Sequence, residues 1–326
     1  MKKTAVLLAT YNGEKYISRQ LSSIAGQQGA SEFSVYVHDD GSTDGTVRAL
    51  EDFRDSVWRE APREGTEAGT AGRGEFVILE GPPTGSSRDN FFYLVNNVSA
   101  DYYFFSDQDD EWEPHKMARC EAAMAAEEER VGADRPILVF SDGKVISEEG
   151  RELAESLCRY QSFDPRRTDC RRLIIRNVVT GCSVMINDKC AEYMRRVDGD
   201  LYSGIVMHDW WAALIAARFG RIVYIDEPLV RYRQHADNVQ GARVVGSPRY
   251  LREKLPGGGI AASLREKEEQ TELFLRVYHQ RREGNEVEYE FARLHSRPKP
   301  ARLRFYFRHR VFKSGFLRNV GLVLFG

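Results

Sequence analysis

The sequence predicts an α/β fold with a doubly wound, mostly parallel sheet and a helical C-terminal extension. Apolar runs of strand length, polar loops directly after them and helical periodicity between them together predict this class. With 326 residues, of which 42% are hydrophobic, the chain can bury a substantial core. We predict an α/β domain over residues 1–245 and a helical, basic extension over residues 246–326.

The first predicted element is the apolar run Ala5–Ala9, which is typical of a strand covered on both faces. Asn12 and Gly13 end this run, and apolar residues then recur at helical spacing. The same alternation continues along the chain. Further strands are predicted at Val35–Val37, Phe76–Leu79, Tyr102–Phe105 and Arg221–Ile225, and helices after Thr43 and Asp44, over Asp89–Val98, near Pro114 and from Asp209.

Two segments interrupt this order. Glu60–Gly74 contains almost no apolar residue and is rich in Gly, Glu, Ala, Thr and Arg, which predicts a mobile surface loop. Pro248–Ser263 contains Pro256 followed by three glycines, and we interpret this segment as a hinge before the helical extension.

Composition limits the classes of function. The net charge of −2 argues against general nucleic-acid binding, although Phe291–Gly326 contains no acidic residue and many arginines and lysines. Five cysteines without CxxC spacing indicate a reducing compartment. The apolar stretch after Lys3 is too short for a signal peptide or a membrane span. We therefore expect a cytoplasmic protein.

Three polar loops follow predicted strands. Ala9–Gly13 follows the first strand, His38–Gly45 the second and Ser106–Asp110 the fourth. Because ligands bind at the carboxyl edge of open α/β sheets, we expect these loops to form one crevice.

The third loop carries three carboxylates in four positions, at Asp107, Asp109 and Asp110. Like charges this close repel one another unless a proton or a cation lies among them. Carboxylates are the ligands that Mg²⁺ and Mn²⁺ prefer, and such an ion could hold the diphosphate of a nucleotide-sugar. The alternative is that they cap the helix near Pro114, but a cap needs only one side-chain oxygen.

Five segments carry a resemblance to a known family. They read ATYNGEKYI, DDGSTDGT, FFSDQDDEW, MHDWW and YRQHADNVQG, and they span roughly Thr4–Gly241. In combination they resemble the family-2 inverting glycosyltransferases, which have the Rossmann-like GT-A fold. The third, fourth and fifth segments look most like rhamnosyltransferase-type members that build surface polysaccharides.

The resemblance implies a donor site for a dTDP- or UDP-sugar. Asp107 and Asp109 match the DxD pair; Asp109 would bind Mg²⁺ or Mn²⁺ directly, and Asp107 would face the ribose or the metal. The residues that would contact the rest of the donor or the metal are Thr10, Tyr11, Asp39, Asp40, Arg88, Asn90, Arg233 and His235. For Asp39 and Asp40 a turn with a helix cap is the alternative, and for His235 a structural role. Lys116 is interpreted as a solvated helix residue.

The resemblance also implies a catalytic base. Asp209 matches the carboxylate that would take the proton of the acceptor hydroxyl. The alternative makes Asp209 a helix cap and His208 its surface neighbour. Trp210 and Trp211 would either stack against an acceptor sugar or belong to the core.

The expected activity is metal-dependent, inverting transfer of a sugar, with rhamnose as the expected sugar, to a glycan or lipid-linked acceptor. The basic C-terminus would contact the inner face of the cell membrane, or pack on the body or a partner subunit. Two rival functions stay open. A sugar-phosphate nucleotidyltransferase would need a Gly-rich basic loop after the first strand, and a non-catalytic sugar- or nucleotide-binding module would have little use for Asp209.

Overall fold

The computed structural model describes residues 2–59, 72–235, 259–312 and 319. Most of the predicted loop Glu60–Gly74 lies outside these residues, as do the predicted boundary after residue 245 and most of the predicted hinge. Up to residue 106, strands and helices alternate as the sequence predicts for the first half of the chain.

The strands are β1 (Thr4–Thr10), β2 (Phe33–Asp39), β3 (Arg73–Ile78), β4 (Tyr102–Ser106), β5 (Glu111–Trp112), β6 (Ile137–Ile146), β7 (Glu152–Ala154), β8 (Val184–Asn187) and β9 (Arg221–Arg233). The helices are α1 (Ile17–Ala25), α2 (Thr46–Phe53), α3 (Ser87–Asn97), α4 (Lys116–Val131), α5 (Leu157–Tyr160), α6 (Cys170–Leu173), α7 (Asp188–Met194), α8 (His208–Phe219), α9 (Gly259–Val277), α10 (Glu286–Phe291) and α11 (Lys299–His309).

One mixed sheet contains all of the described strands. Its order is β3-β2-β1-β4-β8-β6-β9-β5, and β7 pairs with β6 at the side. β1 lies parallel to β2 and β4, and β2 lies parallel to β3. β8 is antiparallel to both of its neighbours, whereas β6 and β9 are parallel. The predicted α/β class is therefore confirmed, with β1, β2 and β4 bringing their carboxyl ends to one edge.

Both faces of the sheet are covered, which explains the continuous apolar runs. Ala5 and Leu7 of β1 belong to one buried cluster, and Val6 and Leu8 belong to the cluster on the other face. This alternation follows from the two-residue repeat of a strand. Burial on both faces leaves the strand ends as the place where polar loops can meet water.

The helical C-terminal region packs on α8. Phe274 of α9 and Tyr278, which directly follows this helix, belong to the same buried cluster as Trp211 of α8. The indole Nε1 of Trp211 donates a 3.0 Å hydrogen bond to the hydroxyl of Tyr278. Of the helices in the described ranges, none is both long enough and apolar enough to span a bilayer.

Candidate active site

A cleft of about 1350 Å³ opens at the carboxyl ends of β1, β2 and β4. The three predicted loops line one side of this cleft, which we call the donor arm. Residues between 161 and 181 and the start of α9 line the other side. Predicted residues that line it are Thr10, Tyr11, Asp40, Asn90, Asp107, Asp109, Asp209 and His235. Asp39, Arg88 and Arg233 are not among the described residues that line it.

The first two loops are tied together by Asn12. Its backbone N–H donates to Oγ of Ser42 at 2.8 Å, and its side-chain Oδ1 accepts from the backbone N–H of Thr43 at 2.8 Å. Asn12 has a φ of 48°, a left-handed conformation that asparagine tolerates better than most residues. The predicted end of the first strand is thus also the point at which the two loops are joined.

Gln108 ties the first loop to the acidic loop, and the sequence analysis missed it. Its Oε1 accepts from the backbone N–H of Tyr11 at 2.8 Å, and its Nε2 donates to the carbonyl of Tyr11 at 2.8 Å. A Cβ on Gly13 would lie 2.2 Å from Oε1 of Gln108. Gly13 therefore leaves room for the side chain of Gln108. In the sequence, a glycine directly after a strand end was the feature that could have indicated a close contact at this position.

The paired acids of the second loop have different surroundings. Asp39 accepts hydrogen bonds from Oγ1 of Thr10 at 2.8 Å and from the N–H and Oγ of Ser42 at 2.7 and 2.6 Å. Asp39 therefore organises the turn and does not reach the cleft wall. Asp40 does line the cleft, and its carboxylate accepts from the N–H of Gly85 at 3.0 Å and from Oγ1 of Thr84 at 2.8 Å.

The loop before α3 holds two predicted donor contacts. Asn90 lines the cleft, but its Nδ2 donates to the carbonyl of His38 at 3.1 Å and its Oδ1 lies 3.0 Å from Nδ1 of the same residue. Arg88 pairs with Asp89 and donates to the carbonyl of Ile205 at 2.8 Å. Its guanidinium lines a neighbouring depression instead of the cleft, so the described geometry gives it a structural role.

The acidic loop concentrates negative charge at the centre of the cleft. Burial, together with the charges of Asp109, Asp110 and Asp209, holds the pKa of Asp107 well above its usual range. Burial and the charge of Asp109 raise the pKa of Asp110 to about 7. The helix α4 begins at Lys116, and no side chain caps it. The capping alternative therefore does not explain these carboxylates.

His235 lies beside the acidic loop, as the resemblance implies. Its Nε2 is 2.7 Å from Oδ2 of Asp109. Its ring stacks on Tyr16, with ring centroids 4.8 Å apart and an interplanar angle of 27°. Two potential metal-binding groups thus approach each other where β9 leaves the sheet.

Arg233 was expected to contact the diphosphate. Instead, its side chain packs against the acidic loop and binds the backbone of that loop. Its side chain is fully buried, and it donates to the carbonyls of Asp109 at 2.8 Å and Glu148 at 3.0 Å. Its guanidinium also pairs with Glu111, and its backbone N–H donates to Asp110 at 2.9 Å. An arginine with this burial and these acceptors fixes the loop, so we correct the expected donor contact.

Lys116 is likewise not solvated, contrary to our expectation. It is fully buried, and its ammonium nitrogen lies 3.4 Å from the ring centroid of Trp112. Burial lowers its pKa to about 8, and the carboxyl groups of Asp110 and Asp107 partly oppose that shift. Carboxylate and thiol atoms of Asp107, Asp110 and Cys182 lie within 4.8 Å of one another. A buried lysine thus lies close enough to the acidic loop to interact with its carboxyl groups electrostatically, which no sequence motif indicated.

Asp209 stands in the first turn of α8, where the helix N-terminus favours negative charge. It is 8% exposed, and its Oδ1 accepts from the N–H of Trp210 at 2.6 Å. Hydrogen bonds from the backbone of Gly181 and the side chain of Asn177 stabilise the carboxylate, but burial outweighs them and raises its pKa to about 7. A carboxylate with this pKa can accept a proton near neutral pH.

The neighbours of Asp209 are more buried than predicted. His208 stacks on Phe91 with centroids 3.9 Å apart, and burial lowers its pKa to about 3, so it is a neutral wall residue. Trp211 is fully buried in the core. Trp210 is 6% exposed and lines the cleft, while its Nε1 donates to the carbonyl of Leu173 at 2.7 Å. Of these two tryptophans, Trp210 lines the cleft and Trp211 does not.

Comparison with known proteins agrees with this architecture. The model of the family "Glycosyl transferase family 2" matches residues 5–71. The chain is 26% identical over 255 residues to the dTDP-rhamnosyl transferase RfbG of Shigella flexneri, a match that covers 75% of this chain and 77% of that protein. It is also 38% identical over 81 residues to the poly(ribitol-phosphate) beta-N-acetylglucosaminyltransferase TarS of Staphylococcus aureus, covering 24% of this chain and only 14% of that relative.

The fold comparison extends over almost the whole chain. The crystal structure of S. aureus TarS 1-349 in complex with UDP aligns with a TM-score of 0.50 and 15% identity, covering 94% of this chain and 87% of that one. This likeness concerns the fold. The family match and the relative aligned along three quarters of the chain disfavour a nucleotidyltransferase or a non-catalytic module. Together these findings identify the chain as a glycosyltransferase with the GT-A fold, in which residues 5–71 are similar to glycosyl transferase family 2.

Proposed function

We propose that this enzyme transfers a sugar, with inversion at the anomeric carbon, from a dTDP- or UDP-sugar to a hydroxyl group of a lipid-linked glycan. Rhamnose is our first choice of sugar, because the relative matched along three quarters of the chain is a dTDP-rhamnosyl transferase. Surface polysaccharide biosynthesis would use such a reaction. The observation that carries the proposal is that one cleft contains both the Asp107–Asp109 pair and Asp209.

The donor arm is assigned to the three loops after β1, β2 and β4. Thr10, Tyr11 and Asp40 would line the base and ribose pocket. Tyr11 supports this assignment, because its ring is 56% exposed at the cleft although large aromatic side chains are usually buried. Asp107 would lie between the ribose and the diphosphate.

The residues present fit a divalent cation. Asp109 and His235 approach within 2.7 Å of each other, and the crowded acids Asp107 and Asp110 have raised pKa values that a cation would relieve. We assign Asp109, with Asp107 and His235, to binding Mg²⁺ or Mn²⁺. When bound, the ion would supply positive charge against the departing diphosphate. Arg233 and Lys116 would hold the acidic loop in position for it.

Asp209 is assigned the role of catalytic base. Its carboxylate would take the proton of the acceptor hydroxyl as that oxygen forms a bond to the anomeric carbon. The bond from this carbon to the diphosphate breaks on the opposite side, and the nucleoside diphosphate leaves with the electron pair. A single displacement of this kind inverts the anomeric configuration.

For the basic C-terminal region we propose contact with the anionic inner face of the cell membrane. In α11, Phe305 and Tyr306 face the core, whereas Arg304, Phe307 and Arg308 are exposed. Phe307 is 62% exposed among these cations, and such a surface suits an anionic bilayer. Flotation with phosphatidylglycerol vesicles should recover the protein, and phosphatidylcholine vesicles should not. Phe307→Ser with Arg304→Gln and Arg308→Gln should abolish recovery; unchanged recovery would contradict this assignment.

The reaction is tested with two variants and two measurements. Asp209→Asn should keep UDP and dTDP binding but lose sugar transfer, because it preserves shape and removes the basic oxygen. Asp109→Ala should lose the part of nucleotide binding that depends on Mn²⁺. Thermal shifts with UDP-, dTDP- and GDP-sugars, with and without Mn²⁺, would identify the donor. Normal turnover by Asp209→Asn would remove this residue from the base role.

A further inference from the structure

Tyr16 connects several parts of the candidate cation site. It immediately precedes α1, is 9% exposed, and its ring stacks on His235 with centroids 4.8 Å apart. His235 in turn places Nε2 at 2.7 Å from Oδ2 of Asp109. The ring of Tyr16 therefore contacts one proposed metal ligand, His235, without being a ligand itself.

The residues that fix the acidic loop also fix Tyr16. Its hydroxyl lies 3.1 Å from Oε1 of Glu148, to which it donates. The carbonyl of Glu148 accepts from Arg233 at 3.0 Å, and Arg233 also donates to the carbonyl of Asp109 at 2.8 Å. The guanidinium carbon of Arg233 lies 5.5 Å from the centroid of the Tyr16 ring. The aromatic ring and the acidic loop thus share one support.

His235 needs such a support because it follows the end of β9. The backbone N–H of Gln234 still donates to the carbonyl of Ile146 at 2.9 Å, while His235 lies beyond the strand. A side chain beyond the end of a strand has several accessible rotamers, and a packed ring limits them.

We propose that Tyr16 is a positioning residue for the cation site: its ring holds the imidazole of His235 against Asp109. This inference rests on the proposed function, in which Asp109 and His235 bind the divalent ion. The ring face performs this role, and the Tyr16 hydroxyl adds only a tether to Glu148. Because Tyr16 directly precedes α1, a shift of the start of this helix would change the affinity of the site for its ion.

The test is a double-mutant cycle read out as Mn²⁺ affinity in the presence of saturating UDP, measured by calorimetry. Tyr16→Leu removes the ring and should weaken Mn²⁺ binding by about threefold to tenfold. Tyr16→Phe keeps the ring and should stay within about twofold of the parent, since only the tether is lost. His235→Ala should weaken Mn²⁺ binding at least as much as Tyr16→Leu. In the His235→Ala background, Tyr16→Leu should have no further effect.

Two controls separate positioning from loss of structure. Phe305→Leu removes a ring that packs against His309, 4.9 Å away in α11, and should leave Mn²⁺ affinity unchanged. Unfolding of each variant without metal or UDP reports its stability separately.

Each contrary outcome points to a different assignment. Equal Mn²⁺ losses from Tyr16→Leu with and without His235 would overturn the inference, because Tyr16 would then act elsewhere. A loss with His235→Ala but none with Tyr16→Leu would overturn the inference alone. No loss with His235→Ala would overturn both the His235 metal assignment and the role of Tyr16.

Discussion

The side-chain amide of Gln108 bonds both backbone polar atoms of Tyr11, accepting from N–H and donating to the carbonyl at 2.8 Å each. This pair of bonds joins the first loop of the cleft to the acidic loop. The proposed base pocket and the proposed cation site are consequently held in one arrangement by a residue that belongs to neither.

Gln108→Ala is expected to weaken UDP binding about tenfold, because two hydrogen bonds that preorganise the loops are lost. Calorimetric titration with UDP measures the change. Gln28→Ala is the matched control, since the side chain of Gln28 is exposed and makes no hydrogen bond within the described residues. Equal UDP affinity for Gln108→Ala and the parent would show that the bridge does not organise the donor site.

Sugar transfer is expected to fall about tenfold per pH unit below about pH 7, because the pKa of Asp209 is raised to about 7 by burial and only its ionised form is a base. The measurement is a pH profile of kcat/KM at saturating Mn²⁺. Asn177→Ala removes a donor to this carboxylate and should move the acid limb to higher pH. Asn97→Ala, at an exposed position of α3, should leave it in place. An acid limb that does not move with Asn177→Ala would argue against Asp209 as the titrating base.

The sequence predicted those features that depend on local pattern. Apolar runs gave the strands, and the loops after β1, β2 and β4 meet as parallel strands require. What it missed depends on contacts between distant segments. Nothing near Lys116 in the chain indicates burial, because Trp112 covers it only after β5 pairs with β9. Arg233 was assigned to the donor because the resemblance implies a basic or histidine element there, yet β9 extends to residue 233 and places the guanidinium against the acidic loop.

Arg233→Met should lower the free energy of unfolding by about 3 kcal/mol or more, since it leaves Glu111 and several carbonyls without their buried donor. Arg231→Met, on the same strand and 3.5 Å from the same glutamate, should cost about 1 kcal/mol or less, because that arginine is partly exposed. Urea unfolding followed by circular dichroism measures both. Similar losses for the two variants would contradict the role of Arg233 as the support of the acidic loop.

Asp110→Asn should stabilise the protein at pH 8 in the absence of divalent ions. The folded-state pKa of Asp110 is raised to about 7, so the folded protein binds more protons than the unfolded chain between about pH 4 and 7. Stability is therefore lost as pH rises through that window, and the asparagine variant avoids this loss. The gain should be on the order of a few kcal/mol at pH 8 and vanish near pH 4.

Melting temperatures in EDTA across this pH range provide the measurement for Asp110→Asn. Asp134→Asn, at an exposed position, should show no pH-dependent gain. Added Mn²⁺ should reduce the advantage of Asp110→Asn over the parent, because bound cation also relieves the crowded charge. A variant less stable than the parent at pH 8 would contradict the raised pKa of Asp110.

The hydrogen bond from Trp211 to Tyr278 has a practical consequence for anyone who shortens this protein. Trp211 lies two residues after Asp209, and its ring packs on Phe274, 5.4 Å away in α9. Truncation after residue 245 would expose this tryptophan to water and loosen the turn that presents Asp209. Fragments meant for assays or crystals should therefore retain α9 and Tyr278, which directly follows it.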